Sequence, residues 1–392
     1  MATIDKLKLQ LPGPIDTGRF LREYWQKKPL LMRAALPVDA LDFGADELAG
    51  LACEPEVESR IISGGNDQPW QLLHGPFDDR DFAGLPDSNW TLLVQDVDKF
   101  VPSVAALIPA FDFVPQWRID DIMISYATDG GGVGPHTDAY DVFLVQASGR
   151  RRWRLSYREY GEDDLVPDLE QRILSRFDSD EDWILEPGDV LYLPPGIAHW
   201  GTAVGECMTY SLGFRAPAQV ELAGDWFQHL LDAADRRRLP DPAEPGEARG
   251  EISTQTVAAA RTMIDTLFDH GGADFARWLG CYLTEPKPQF DILPLDEPVT
   301  ATALAAQLRG GPGLVRHPAA RLAWSRSTDG AILLFCQGIA HRLSGERHDM
   351  AERLCTHRWL AANEVSALLA DDGIGALLVD LYNDGIFEIA EA

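Results

Sequence analysis

Two histidines and an aspartate carry the strongest chemical signal in this sequence: His136 and Asp138, two residues apart, and His199 further along the chain. Two imidazoles and one carboxylate form the facial set that suits Fe(II). The remaining metal positions stay open for a bidentate co-substrate and dioxygen. An isolated H-x-D arises by chance about once in a chain this rich in acids, so its weight comes from what surrounds it. The run Gly130-Gly-Gly-Val-Gly-Pro-His-Thr-Asp138 reads as a strand entering a glycine-rich turn. If 136–138 is itself extended, alternation sends His136 and Asp138 to the same side. In Glu186-Pro-Gly-Asp-Val-Leu-Tyr-Leu-Pro-Pro-Gly-Ile-Ala-His-Trp200 a strand over 190–193 meets a Pro-Pro-Gly turn, and His199 begins the return. That is how a distant third ligand can be aimed at the first two. The other histidines (His74, His229, His270, His317, His341, His348 and His357) have no carboxylate or thiolate at ligand spacing and read as structural or surface groups.

A 2-oxoglutarate molecule chelating iron through its keto-acid end needs a fixed cation for its remote carboxylate, and arginine can give it two parallel charge-assisted hydrogen bonds. Residues 141–155 contain Gly149-Arg-Arg-Arg-Trp-Arg154 and read as a hairpin turning at Ala147-Ser-Gly149. Arg151, Trp153 and Leu155 share one face by alternation, and that face is the apolar one. Arg151 is therefore the expected anchor, while the other arginines suit a solvated strand. Ser125 points inward with Met123 and is either a second contact to that carboxylate or an ordinary small barrel residue. Tyr140 and Asp141 follow the H-x-D. They are expected on the substrate side, where a carboxylate would suit a guanidinium.

These side chains call for a scaffold of short strands. Segments 90–94, 121–126, 142–146, 151–155, 183–185, 190–193 and 208–214 read as strands separated by Gly, Pro, Asp and Asn, the pattern of a barrel or sandwich. A helix over 17–27 precedes them, with Phe20, Leu21 and Trp25 on one face. After Pro217 the texture becomes helical, with helices expected over 219–238, over 253–269 with Ser253 as N-cap, and over 273–283. A Pro-, Glu- and Gly-rich linker fills 239–250. This middle segment serves either dimerisation or packing on its own barrel. From 286 onward a helix near 299–308 stops at Gly310-Gly-Pro-Gly313. Strands then flank Thr328-Asp-Gly330, and helices finish near Leu381, an order that resembles a small winged-helix module. The expected fold is α+β: a barrel domain over 1–216, a helical dimerisation segment over 217–285, and a winged-helix-like domain over 286–392.

Composition limits the partners. The formal net charge of −28 opposes broad contact with phosphate backbones, so no direct DNA binding is expected. The same charge favours a basic protein partner, and it serves plain solubility equally well. Cys53, Cys207, Cys281, Cys336 and Cys355 are scattered and form no C-x-x-C pair. A reduced, cytoplasmic protein is expected. Met1 to Leu11 lacks a signal-like apolar stretch, and no apolar run reaches membrane-spanning length.

The runs Trp117-Arg-Ile-Asp-Asp-Ile-Met-Ile-Ser125, Gly130 to Asp138, Tyr140-Asp-Val-Phe143, Gly149 to Arg154, Glu186-Pro-Gly-Asp189 and Tyr210-Ser-Leu-Gly-Phe-Arg-Ala-Pro217 resemble the bacterial JmjC-type ribosomal oxygenases. Within these, the chain is similar to the arginine hydroxylases of the sixteenth large-subunit ribosomal protein. The resemblance implies a double-stranded β-helix (cupin) barrel, with Fe(II) at His136, Asp138 and His199 and 2-oxoglutarate at Arg151 with help from Ser125. It also implies dioxygen as oxidant, a homodimer, and a basic ribosomal protein as substrate. The alternatives are the same chemistry on another protein side chain, by hydroxylation or demethylation, and a non-catalytic cupin that binds a ribosomal protein during assembly.

Overall fold

The computed structural model describes residues 7–65, 68–234, 237–240, 250–268, 272–327, 329–343, 347–371 and 373–390. Residues 241–249 of the expected linker, Thr328 of the expected turn, and His270 lie outside them. The chain divides into two compact units at the junction of Ala216 and Pro217.

In the first unit, Asp16 caps α1 (Thr17–Glu23) by accepting from the Arg19 amide at 2.6 Å, satisfying one of the free N–H groups of its first turn. There follow β1 (Leu30–Met32), α2 (Ala45–Leu51), β2 (Ser59–Gly65), β3 (Gln68–His74), α3 (Asp79–Ala83), β4 (Trp90–Val94), α4 (Val97–Phe100) and α5 (Pro102–Ala105). The unit is completed by β5 (Ile119–Ala127), β6 (Asp141–Ser156), β7 (Glu181–Leu185), β8 (Val190–Leu193) and β9 (Ala198–Phe214). They make one nine-stranded sheet in the order β1-β8-β6-β9-β5-β4-β2-β3, with β7 joined to β6.

The sheet folds over on itself because β6 and β9 are long enough to serve both layers. The first half of β6 pairs with β8, its second half pairs with β7, and β9 lies alongside both halves, from Asp141↔Phe214 to Ser156↔Ala198. The hairpin expected at Ala147-Ser-Gly149 is therefore one bent strand, with register shifts between Gln146 and Arg150. Gly149 has φ +61°, and a Cβ there would lie 2.0 Å from the Glu206 carbonyl oxygen. A bulge has the same glycine requirement as a turn, which is why the two look alike in sequence.

Both faces of this ribbon are covered. Phe143, Val145, Tyr192, Tyr210, Leu212 and Phe214 lie in a large cluster with Phe20, Phe111 and the α2 residue Leu48. Val142, Leu144, Leu191 and Leu193 face the other way and pack with Trp153, Leu155 and Leu185 inside the barrel. Burial on both faces explains why 142–145 is apolar without alternation.

The second unit contains α6 (Gln219–Ala233), α7 (Thr254–Phe268) and α8 (Gly272–Leu283). The Ser253 hydroxyl accepts from the Thr256 amide at the start of α7, the cap expected from sequence. Next come α9 (Ala301–Gln307), β10 (Gly313–Arg316), β11 (Leu322–Arg326), β12 (Ile332–Cys336), β13 (Ile339–Leu343), α10 (His348–Thr356), β14 (Trp359–Ala361), α11 (Ala362–Leu369), α12 (Ile374–Asn383) and β15 (Phe387–Ile389). There are two small sheets, β14-β10-β15 and β11-β12-β13. α8 packs across β11, β12 and β13, with Gly280 set against the Phe335 ring. The helical segment and the C-terminal fold thus form one unit here, without a break at 285.

Candidate metal centre

The chain leaves β5 at Ala127 and crosses the barrel mouth through the glycine-rich loop. Gly130 and Gly134 have φ of +76° and +82°. A Cβ on Gly132 would sit 2.2 Å from the Gly201 carbonyl oxygen, so only glycine lets the loop lie this close to β9. The loop then joins β9 through a two-bond bridge: the His136 amide donates to the His199 carbonyl at 3.0 Å, and the His199 amide donates to the His136 carbonyl at 2.9 Å. The extended strand expected at His136-Thr-Asp138 is therefore a loop held at one bridge. Asp138 is fixed separately, its carbonyl accepting from the Gly196 amide at 2.8 Å in the turn before His199.

The three side chains converge, with one ligand atom from each of His136, Asp138 and His199 lying within 4.8 Å of the other two. Asp138 stands 3.9 Å from His136 Nε2 and 3.6 Å from His199 Nε2. On each ring Nδ1 donates to a backbone carbonyl, Gly134 at 3.0 Å for His136 and Ile197 at 2.9 Å for His199. That choice of tautomer turns the Nε2 lone pairs toward the shared centre. Burial pushes the His199 pKa down to about 4, with His136 adding to the shift and Asp138 opposing it. At neutral pH His199 is thus the unprotonated imidazole that a metal requires. The cluster contains no thiolate, and two nitrogens with one carboxylate oxygen match an Fe(II) site.

Arg151 occupies the same interior, four residues along β6 from Leu155, whose cross-strand partner is His199. Four residues of strand span about 13 Å. The guanidinium is buried and donates from Nη1 to the Ser125 hydroxyl at 3.1 Å and the Thr209 hydroxyl at 3.4 Å. Its Nε has no partner, and no carboxylate of the described residues pairs with it. Burial lowers its pKa. A buried cation whose partners are neutral hydroxyls is an anion receptor, and one carboxylate would satisfy both its charge and its free donors. Arg151 and Ser125 thus meet as the alternation suggested. Thr209 was missed, although it lies on the inward face of the 208–214 strand and could have been read from the same period.

The substrate-side expectation for Asp141 is corrected. Its side chain is fully buried on the opposite face, accepting from Arg118 Nη2 at 3.0 Å and Tyr192 OH at 2.6 Å. This carboxylate is committed to its own arginine and holds the sheet rather than a ligand. Tyr140 is partly buried against the barrel cluster beside Asp138, and burial, with that carboxylate adding to it, raises its phenol pKa. Trp153 lies beside His199, with ring centroids 5.8 Å apart.

Residues 106–222 match the JmjC domain family and residues 265–388 the ROXA-like winged helix family. The chain is 36% identical over 374 residues to the ribosomal protein uL16 3-hydroxylase of Escherichia coli (strain K12), spanning 93% of this chain and 95% of that one. It belongs to the JmjC-type ribosomal oxygenases. A probable ribosomal oxygenase of Haemophilus influenzae is 39% identical over 220 residues, 55% of this chain and 54% of the relative. The solved structure of E. coli YcfD, a ribosomal oxygenase, in complex with cobalt and 2-oxoglutarate superposes with a TM-score of 0.81 at 33% identity, covering 98% of this chain and 100% of that one. Another YcfD structure, with cobalt and succinic acid, gives 0.80 at 34% identity, covering 98% of this chain and 100% of that one. As a ribosomal oxygenase the protein is a 2-oxoglutarate-dependent dioxygenase that uses Fe(II) and dioxygen, in a cupin barrel followed by a winged-helix domain. No helix among the described residues is long and apolar enough to cross a membrane.

Proposed function

We propose that His136, Asp138 and His199 hold the Fe(II), that Arg151 with Ser125 and Thr209 anchors the remote carboxylate of 2-oxoglutarate, and that the enzyme hydroxylates an arginine side chain of ribosomal protein uL16. The observation that carries this reading is the buried, carboxylate-free Arg151 in the same interior as the His-Asp-His cluster. When bound, the metal would bring dioxygen, the oxidant, to 2-oxoglutarate and the substrate C–H: one oxygen atom would enter succinate as carbon dioxide leaves, and the other would become the product hydroxyl.

The protein's own contribution is geometric. The two Nδ1–carbonyl bonds set the imidazole tautomers, the Gly196 amide holds the Asp138 backbone, and Arg151 fixes the co-substrate from its far end. The net charge of −28 favours encounter with a basic ribosomal protein. The helical segment 217–285 is proposed as the dimerisation surface, because Val220, Phe227, Leu231, Val257, Ile264 and Phe268 are exposed there. All five cysteines are free, which accords with a cytoplasmic site of action.

The test incubates the enzyme with Fe(II), 2-oxoglutarate and purified uL16, following succinate and the intact mass of uL16. One added oxygen on an arginine-bearing peptide, lost in Asp138→Ala, is expected. Loss of a methyl group would make the enzyme a demethylase, and absence of succinate would make it a binding protein.

A further inference from the structure

The second unit contains a cleft that the oxygenase chemistry does not use. It lies between α6 and α8, with a volume of about 410 Å³. Its α6 wall presents Asp225, His229 and Asp232, at i, i+4 and i+7 along one helix face. Its α8 wall presents Trp278, Tyr282 and then Glu285.

The base is aromatic. Trp278 stacks on Tyr282 at 5.3 Å and packs against Trp226 at 5.0 Å, while Trp226 stacks on His229 at 5.3 Å. The three carboxylates around this base form no ion pair with any described residue. Asp225 instead neighbours the Tyr282 phenol, whose pKa burial and this carboxylate raise, and Asp232 accepts from the Gln228 amide at 2.8 Å. Arg277 also lines the cleft and makes no ion pair among the described residues. Burial and the neighbouring Asp225 hold the Glu285 carboxyl above its usual range.

We infer that this cleft receives a cationic side chain, with arginine preferred, from a basic polypeptide segment. Aromatic faces with uncompensated carboxylates at their rim match a planar guanidinium, which stacks on the rings while its N–H fork meets the acids. Three carboxylates against the single cation Arg277 leave the lining net negative, which disfavours an anion, and an apolar side chain would leave the carboxylates without partners. With 3.6 residues per turn, the Asp225–Asp232 face is turned roughly 130° around α6 from the exposed Val220, Phe227 and Leu231. The inference does not depend on the identity of the oxygenase substrate.

The experiment titrates full-length protein with a capped peptide of alternating glycine and arginine, and with its citrulline counterpart, following tryptophan fluorescence and calorimetric heat. The arginine peptide is expected to bind and change the fluorescence, while the citrulline peptide does neither. The isosteric triple variant Asp225→Asn, Asp232→Asn, Glu285→Gln should lose at least tenfold in affinity. A control that removes the same charge from the exposed positions Asp39, Glu159 and Asp163 should lose less than twofold. Equal losses in the two triples would reduce the binding to the general field of an acidic protein and overturn the inference. Failure of the wild type to bind, with the cleft triple shifting the sedimentation coefficient, would assign the cleft to a second copy of the chain and overturn it too.

Discussion

Replacing Arg151 with methionine should have opposite effects on binding and on stability. In the ligand-free protein the guanidinium is buried against two hydroxyls, with its Nε unsatisfied and no counter-ion among the described residues. Methionine keeps much of the stem and removes a desolvated charge, so the free protein should melt at the same temperature or higher. The co-substrate complex should respond in the reverse sense. A carboxylate meeting Arg151 in this setting makes charge-assisted bonds that water does not screen, and truncating one partner of such a buried pair costs about 2–5 kcal/mol. At about 1.4 kcal/mol per decade, 2-oxoglutarate affinity should fall by roughly 30- to 4,000-fold. Calorimetric titration of the Co(II)-loaded protein with 2-oxoglutarate reads the second effect, and thermal melts without ligand read the first. A melting temperature lowered by several degrees, together with unchanged affinity, would show that Arg151 is a structural residue and that another cation is the anchor.

Asp141→Ala should be among the most damaging single changes, because it strands Arg118 in the core and takes an acceptor from Tyr192; a loss of about 3–5 kcal/mol in chemical denaturation is expected. Gly132→Ala places a Cβ 2.2 Å from the Gly201 carbonyl oxygen, which should cost about 1–3 kcal/mol and weaken Co(II) binding in the same protein by displacing the loop that carries His136. His199, whose pKa is held down to about 4, makes stability pH-dependent: the unfolded chain takes up the proton first as pH falls below the ordinary histidine value of about 6.5. The metal-free protein should therefore lose stability from there down to about 4, and His199→Asn should flatten that slope in melts recorded with a chelator.

The site was legible from sequence wherever a local rule decides direction. Alternation put Arg151, Ser125 and Met123 on one face, and the Pro-Pro-Gly turn marked the return that carries His199. Asp141 was misread because its partner Arg118 lies on a different element and nothing near Asp141 announces it. Long-range pairing decides such a residue, and a single sequence does not display it. The bulge at Gly149 passed for a turn because both use a glycine at positive φ. His136-Thr-Asp138 passed for a strand because a loop clamped by one bridge can also converge its side chains. In the second unit the caps and helix starts were readable, but β13, β14 and β15 were not, since each is short and gains its order from neighbours.

With Arg151 as the proposed anchor and His199 as a proposed ligand, the shared β6–β9 ribbon turns the active site into a gauge. The arginine and the third histidine are set into one hydrogen-bonded ladder, so neither can move along it without the other following. The gap between them has a single length, which in the proposed reading is spanned by one chain of carbons between two acid groups. An oxo-diacid shorter or longer by one methylene would have to give up either its chelate or its salt link. Deleting one residue from β6 between Arg151 and Leu155 would rotate the anchor out of the barrel altogether.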